Sequence, residues 1–215
     1  MANCAICGVY ACRTGELDRL PDDCPMRTGE LPDSLPIYSE PEIRRIAKVA
    51  AQIEAEGYMR WTRVEETMEF ARRLGFTRLG LAFCAGLREE ARILARVLRA
   101  NGFTVISAMC KTGSVPKEQI GVLDCEKVNP GTWEAMCNNI GQALLLNRAG
   151  TQLNITFGLC VGHDALFNKY SEALVTCLVV KDRVLAHNPI GALNTSYGYY
   201  RPALYERHKK AWESE

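Results

Sequence analysis

The sequence predicts an α/β domain with a mostly parallel, Rossmann-like sheet and helices on both faces, preceded by a small cysteine-rich segment. Apolar runs of strand length alternate with amphipathic helical segments. Such continuous apolar strands are typical of a parallel sheet that crossover helices cover on both faces. The predicted domains are a metal- or cluster-binding segment at 1–38, the α/β domain at 39–193 and a polar, tyrosine-rich tail at 194–215 that packs on the surface.

Each predicted element has a local signal. The sequence at 39–42, Ser-Glu-Pro-Glu, reads as a capping box in which Ser39 begins a helix, and Thr62 with Glu65 begins the next one. A later helix begins at Trp133 or at Asn138. The elements after the first two helices are, in order, a strand at 77–83, a helix at 87–100, a strand at 103–109, a helix ending at 148, a strand at 153–159, a short helix at 163–172 and a strand at 173–180.

Composition and charge exclude several classes of protein. The 215 residues include 26 Lys and Arg and 25 Asp and Glu, so the formal net charge is +1. The sequence contains no basic run of the kind that would predict nucleic-acid binding. No stretch approaches the roughly 18 consecutive apolar residues of a membrane span, and no signal-peptide pattern follows Met1. We therefore expect a cytoplasmic protein without nucleic-acid or membrane partners. Neither a Walker A loop nor a G-x-G-x-x-G turn is present, so no motif predicts nucleotide binding.

Ten cysteines are the unusual feature of the composition, and four of them lie within the first 24 residues. In a reducing compartment, clustered cysteines bind metal or react more often than they form disulfides. The spacing is C-x2-C-x4-C-x11-C followed by proline, which resembles iron–sulfur loops more than zinc ribbons. A tetrahedral zinc site is the alternative. The predicted ligands of a [4Fe–4S] cluster, or of zinc, are Cys4, Cys7, Cys12 and Cys24.

A second set of cysteines follows the predicted strands. Three come directly after the first three strands, and a fourth lies near the start of a helix. The carboxyl ends of parallel strands meet at one edge of a sheet, and a helix N-terminus favours a thiolate. We therefore expect one thiolate-rich pocket that holds a second metal or cluster, whereas Cys125 and Cys177 are interpreted as a bystander and a packing residue. The predicted pocket ligands are Cys84, Cys110, Cys137 and Cys160.

The segment GLCVGHD at 158–164 is the densest in chemical groups. His163 follows Cys160 by three residues, so a metal-independent thiol enzyme would use Cys160 as nucleophile and His163 as base. Asp164 either orients His163 or caps the short helix. Cations near the strand ends either hold an anionic substrate or face water. The substrate-binding candidates are Lys111, Lys181 and His187.

Several segments carry a resemblance to a known family. They are FCAGL (83–87), CK (110–111), CNNIGQALLLN (137–147), GLCVGHD (158–164) and KDRVLAHNP (181–189), after the four-cysteine stretch. Together they resemble the DUF1847 family, known mainly as uncharacterised metal-binding proteins, over nearly the whole chain. The resemblance implies that both cysteine sets are the family's cysteine positions, and it implies no particular reaction. Where the family pattern is expected to read Cys-Asn-Pro-Ile, residues 137–140 read Cys-Asn-Asn-Ile.

Four functions are compatible with these features. The leading hypothesis is an iron–sulfur protein with one or two [4Fe–4S] clusters and a redox or electron-transfer role toward a small molecule or a redox partner protein. The second is a zinc protein with structural zinc at the N-terminus and a hydrolytic zinc in the pocket. The third is a metal-independent thiol enzyme, and the fourth is a non-enzymatic metal carrier or sensor.

Overall fold

The computed structural model describes residues 4–206, and it confirms the α/β fold class. Its strands are β1 (Arg78–Phe83), β2 (Thr104–Met109), β3 (Leu153–Leu159) and β4 (Leu174–Val180). They form one parallel sheet in the order β2-β1-β3-β4. The central strand β3 is buried along its whole length, whereas the outer strands β2 and β4 are partly exposed.

The chain divides into two compact units between Glu54 and Ala55. Within residues 4–206, no helix is both long and apolar enough to cross a bilayer. Part of the predicted tail, residues 207–215, lies outside the described residues. The α-helices are α1 (Ala11–Thr14), α2 (Pro25–Thr28), α3 (Leu35–Tyr38), α4 (Pro41–Gly57), α5 (Arg63–Arg73), α6 (Arg88–Ala100), α7 (Asn139–Arg148), α8 (His163–Tyr170), α9 (Ile190–Asn194) and α10 (Arg201–Tyr205).

Helices cover both faces of the sheet. Helices α5 and α6 pack on one face against β1 and β3 side chains such as Leu81 and Ile155. Residues of α7 and α8, including Leu146 and Phe167, pack on the other face. The connection from β1 to β2 and the one from β2 to β3 run in opposite directions, and right-handed crossovers therefore place α6 and α7 on opposite faces.

Gly158 interrupts the regular pleat of β3. The register with β4 shifts at this point, so Phe157 packs in the first core and Leu159 in the second, although residues two apart normally share a face. Gly158 has φ +65°, and a Cβ there would lie 2.2 Å from Leu87 Cδ1. Only glycine meets both conditions without strain, and it sets the path of the chain into Cys160.

Two of the predicted helix starts can be compared with the observed caps. The capping box at Thr62 is confirmed, since the Glu65 N–H donates to Thr62 Oγ1 and the Thr62 N–H donates to the Glu65 carboxylate. The prediction that Ser39 caps α4 is wrong. Ser39 is in the helical region and its hydroxyl donates to the Leu35 carbonyl at 3.0 Å, so it ends α3 instead.

The helix before β3 begins at Asn139, directly after Asn138, the later of the two predicted starts. Asn138 is its N-cap, with Oδ1 accepting from the Gly141 N–H at 2.9 Å. The connection from β2 therefore runs to Asn138. Its backbone returns to the end of β2, where the Asn138 N–H donates to the Cys110 carbonyl at 2.7 Å.

Candidate functional site

The carboxyl edge of the sheet carries a chemically active residue after every strand. Cys84 follows β1, Cys110 follows β2, Cys160 follows β3 and Lys181 follows β4. Strands β1 and β3 are neighbours, and their connections leave toward opposite faces of the sheet. This is the topological switch point, where open α/β sheets form a crevice that binds ligands.

Three of the predicted pocket cysteines form a hydrogen-bonded row, which we call the sulfur row: Cys84, Cys110 and Cys137. Cys110 lies in the middle and is hydrogen-bonded to both of the others. It is only 2% exposed, and its Sγ accepts from the Ala85 N–H at 3.3 Å. The fold therefore brings together thiols from two strand ends and from the start of α7.

Hydrogen bonding within the row separates the three thiol pKa values. The Cys110 bond lowers the pKa of Cys137 to about 3 and that of Cys84 to about 5, with the Gly86 N–H and Lys181 also favouring the Cys84 thiolate. The pKa of Cys110 is raised, first because of its bonds to Cys137 and Cys84 and then because of burial. These shifts favour a protonated thiol at Cys110 and thiolates at Cys84 and Cys137.

His163 extends the row at its Cys137 end. It is the first residue of α8, and its hydrogen bond to Cys137 raises the pKa of the imidazole despite partial burial. The predicted pairing of His163 with Cys160 differs from this arrangement. The basic group lies beside Cys137, so a base at His163 would act on that sulfur.

Cys160 has a different partner. Arg183 Nη2 donates to Cys160 Sγ at 3.0 Å, and this contact raises the pKa of the guanidinium. The Lys181 ammonium lies beside Cys84, and a Cβ at Gly86 would lie 3.7 Å from Lys181 Nζ and 3.9 Å from Cys84 Sγ. Sequence analysis missed the role of Arg183, because its spacing from Cys160 carries no local signal.

The other two predicted substrate-binding residues, Lys111 and His187, have partners in the backbone. Lys111 Nζ donates to the Ala135 carbonyl at 2.5 Å, and its charge also favours the Cys137 thiolate. His187 Nδ1 accepts from the Asp182 N–H at 3.0 Å and closes the turn after β4. In this arrangement His187 holds a turn, and Lys111 holds the long β2–α7 connection beside the sulfur row.

Two buried amides lie behind the row and were also missed from the sequence. Gln142 Nε2 donates to the carbonyls of Phe83 and Ala108, at 3.1 and 2.6 Å; Phe83 is the last residue of β1, and Ala108 is the last but one of β2. Asn139 Nδ2 donates to Gln142 Oε1 at 2.9 Å. The sequence signal for these two amides is that Asn139 and Gln142 are polar residues three apart on the face of α7 that is buried.

The four N-terminal cysteines border a single cavity of about 300 Å³. Its other lining residues include the apolar side chains of Ile6, Ala11 and Leu20. Among residues 4–206, no three His, Cys, Asp or Glu side chains converge on one point as ligands of a single metal ion do. The cysteines that surround the cavity are Cys4, Cys7, Cys12 and Cys24.

Comparison with known proteins identifies the family. A family model described as "Protein of unknown function (DUF1847)" matches residues 24–178. The chain belongs to the DUF1847 family. A relative, "Uncharacterized protein MJ0455" from Methanocaldococcus jannaschii, is 45% identical over 194 residues, covering 90% of this chain and 94% of that protein. No solved structure matches this DUF1847 chain.

Proposed function

We propose that this DUF1847 protein is an iron–sulfur redox protein whose reactive centre is the sulfur row with Cys160 beside it. The observation that carries the proposal is the convergence of Cys84, Cys110 and Cys137 at the switch point of the sheet, where the buried Cys110 Sγ accepts from the Ala85 N–H. Strongly shifted pKa values produced by specific partners in a crevice are typical of functional sites. The surrounding cations and backbone N–H groups stabilise negatively charged sulfur.

The donor set around the N-terminal cavity suits a [4Fe–4S] cluster. Four cysteines border this one cavity, and their spacing C-x2-C-x4-C-x11-C followed by proline resembles iron–sulfur loops more than zinc ribbons. A [4Fe–4S] cluster is held by four thiolates and supplies one-electron transfer when bound. Cys4, Cys7, Cys12 and Cys24 would hold it.

The sulfur row is suited to chemistry that couples electrons to protons. When the Cys110 thiol and the Cys137 thiolate form a disulfide, one S–S bond forms, and two electrons and the Cys110 proton leave. The electrons go to an oxidised redox partner protein, and the reverse reaction takes both electrons and the proton back. Lys181 favours the Cys84 thiolate, and Arg183 donates to Cys160 Sγ beside the row. The same thiolates are the predicted ligands of a second metal site.

Metal analysis of anaerobically purified protein tests this proposal. We expect brown protein with iron, acid-labile sulfide and broad absorbance at about 400 nm. Cys12→Ser and Cys24→Ser should each lower iron and sulfide, whereas Cys125→Ser and Cys177→Ser should not, because both are exposed and lie outside the two sites. Colourless protein with stoichiometric zinc would overturn the iron–sulfur assignment.

The redox role of the row has its own measurement. Wild-type protein treated with a small disulfide should lose two thiols per chain in the row, and mass spectrometry should find a disulfide that contains Cys110. Cys110→Ala should abolish this reaction without lowering N-terminal iron. If Cys84→Ser and Cys137→Ser instead remove bound metal, the row is a second metal site rather than a dithiol.

A metal-independent thiol enzyme is the second candidate, and the contact between Cys137 and His163 favours it. The thiolate of Cys137 is already present well below neutral pH, and an imidazole lies beside it. Iodoacetamide should therefore alkylate Cys137 in metal-free protein at pH 5, well below the pH at which an ordinary cysteine thiol ionises. An unchanged metal content in Cys137→Ser, together with loss of this reactivity, would favour the thiol enzyme over a second metal site.

A further inference from the structure

Four arginines form a stripe along helix α6, which we call the arginine stripe. They lie three or four residues apart, so they share one face of the helix, and all four are exposed. All four border one cavity of about 230 Å³ whose floor contains Leu81, Phe83 and Ala95. The members of the stripe are Arg88, Arg92, Arg96 and Arg99. Because three other residues separate most of them, the stripe is not visible as a basic run in the sequence.

The arginine stripe lies beside an open edge of the sheet. Strand β2 is an outer strand, and the N–H groups of Thr104 and Cys110 donate to the chain of β1 and its flanks. Alternate residues, Val105 and Ser107, therefore direct their backbone groups outward. Arg99 Nη2 donates to the Val105 carbonyl at 3.2 Å. Within residues 4–206, no group pairs with the outward N–H and carbonyl of Ser107, which also borders the cavity.

A carboxylate of the same helix neutralises only part of the positive charge of the arginine stripe. Glu89 contacts Arg88 at 3.5 Å and Arg92 at 2.8 Å, and these are exposed pairs, which are weak in water. Arg96 has no carboxylate partner among residues 4–206. The groove thus combines cations, an apolar floor and a free strand edge.

We propose that this groove binds an acidic segment of a partner protein in extended conformation, as an additional strand beside β2. Backbone N–H and carbonyl groups of the segment would pair with Ser107, which is the usual way an extended peptide adds to a sheet edge. Arginines four apart on a helix are spaced by about 6 Å along its axis. Alternate side chains of a strand are spaced by about 6.6 Å, so Glu or Asp at every second position matches the stripe. The proposal does not depend on the proposed redox function.

A fluorescent ten-residue peptide with alternating Glu and Thr tests the proposal on the full chain. Anisotropy at low salt should show binding that weakens steeply with added NaCl, and a peptide with Lys in place of Glu should not bind. The double variant Arg92→Glu/Arg96→Glu should weaken binding by about tenfold or more. Arg148→Glu is the matched control, because Arg148 is an exposed arginine at the end of α7, outside the stripe.

Ser107→Pro separates strand addition from simple charge attraction. Proline removes only the outward N–H of an edge strand, so the β1–β2 pairing should persist and circular dichroism should be unchanged. We expect about a tenfold loss of peptide affinity. Unchanged affinity in a folded Ser107→Pro protein would overturn strand addition. Tighter binding of duplex DNA or polyphosphate than of the peptide, through the same arginines, would overturn the acidic segment as ligand.

Discussion

The imidazole of His163 is hydrogen-bonded to the thiolate of Cys137, not to the Cys160 thiol three residues before it in the chain. The backbone joins His163 and Cys160 in a tight turn, with the His163 N–H donating to the Cys160 carbonyl at 3.0 Å. The side chain of His163 meets a sulfur from the β2–α7 connection instead. The imidazole and the guanidinium of Arg183 thus serve different cysteines of the same crevice.

We expect His163→Gln to raise the pKa of Cys137. The imidazolium is the second-largest cause of the low pKa, after the Cys110 bond, so the thiol should remain more acidic than an ordinary cysteine. The measurement is the rate of Cys137 alkylation against pH in metal-free protein, followed by mass spectrometry. His187→Gln is the control, because that histidine bonds to the Asp182 backbone. Identical profiles for His163→Gln and wild type would show that the imidazole does not stabilise the thiolate.

Cys137 should make the folding stability of the metal-free protein depend on pH. Its pKa is about 3 when folded and about 8.5 when unfolded, so the unfolded chain binds more protons between these values. The stability of wild type relative to Cys137→Ser should therefore rise as pH increases from about 3 toward 8.5, and it should be lost as pH falls. Urea unfolding at several pH values under reducing conditions provides the measurement.

His163 acts on stability in the opposite direction. Its folded pKa is raised, so its contribution is present at low pH and is lost as pH rises through that value. The unfolding comparison between wild type and Cys137→Ser is therefore repeated with His163→Gln present in both proteins. The remaining pH dependence of the stability difference then comes from Cys137 without His163. Parallel pH curves for the cysteine and serine proteins in that background would contradict the thiolate assignment.

Replacing Gly158 should destabilise the fold more than replacing a glycine that has a positive φ but no close neighbour. Gly150→Ala introduces strain at φ +63° but meets nothing within 4 Å, so we expect a loss of about 1 kcal/mol. Gly158→Ala adds a contact of 2.2 Å with Leu87 Cδ1, and we expect about 3 kcal/mol or more. Chemical denaturation measures both changes. Leu87→Ala in the Gly158→Ala background should cost less than it does alone; equal costs would show that the two sites do not contact each other.

Gln142→Leu should destabilise the fold and loosen the sulfur row. The variant keeps a similar volume but removes the amide donor to the Phe83 and Ala108 carbonyls and the acceptor of Asn139 Nδ2. Phe83 keeps its bond from the Cys110 N–H, so we expect a cost of about 1–3 kcal/mol. Alkylation of the buried Cys110 should become faster, because these carbonyls lie at the ends of the strands that hold it. Gln119→Leu, at an exposed position, should change stability by less than about 0.5 kcal/mol. A stable Gln142→Leu protein with a protected Cys110 would rule out this supporting role.

The strands were predictable because their signal is local. A buried parallel strand needs a continuous apolar run, and the predicted strand at 153–159 has the observed bounds of β3. The capping box at Thr62 is also a short-range pattern of side chain and backbone. Ser39 shows the limit of such patterns. It is the C-cap of the preceding helix α3, so it does not cap the start of α4.

The position of the strand-end cysteines at one edge of the sheet could also be predicted, because parallel strands end at the same edge whatever their order. The hydrogen-bond partner of each sulfur could not be predicted. The pairing of Cys160 with Arg183 and of Cys137 with His163 depends on the order β2-β1-β3-β4 and on where the long β2–α7 connection returns. The number of residues between the members of either pair does not predict that their side chains meet.

The sequence by itself determined the α/β class, the strands and the edge at which three cysteines lie, since apolar periodicity and chain direction are properties of neighbouring residues. The tertiary structure alone decided which thiol keeps its proton, which cation serves which sulfur and how four separated arginines form one groove. Hydrogen bonds and charge interactions act over a few ångströms in space, and only the packing of distant segments brings these groups within that range.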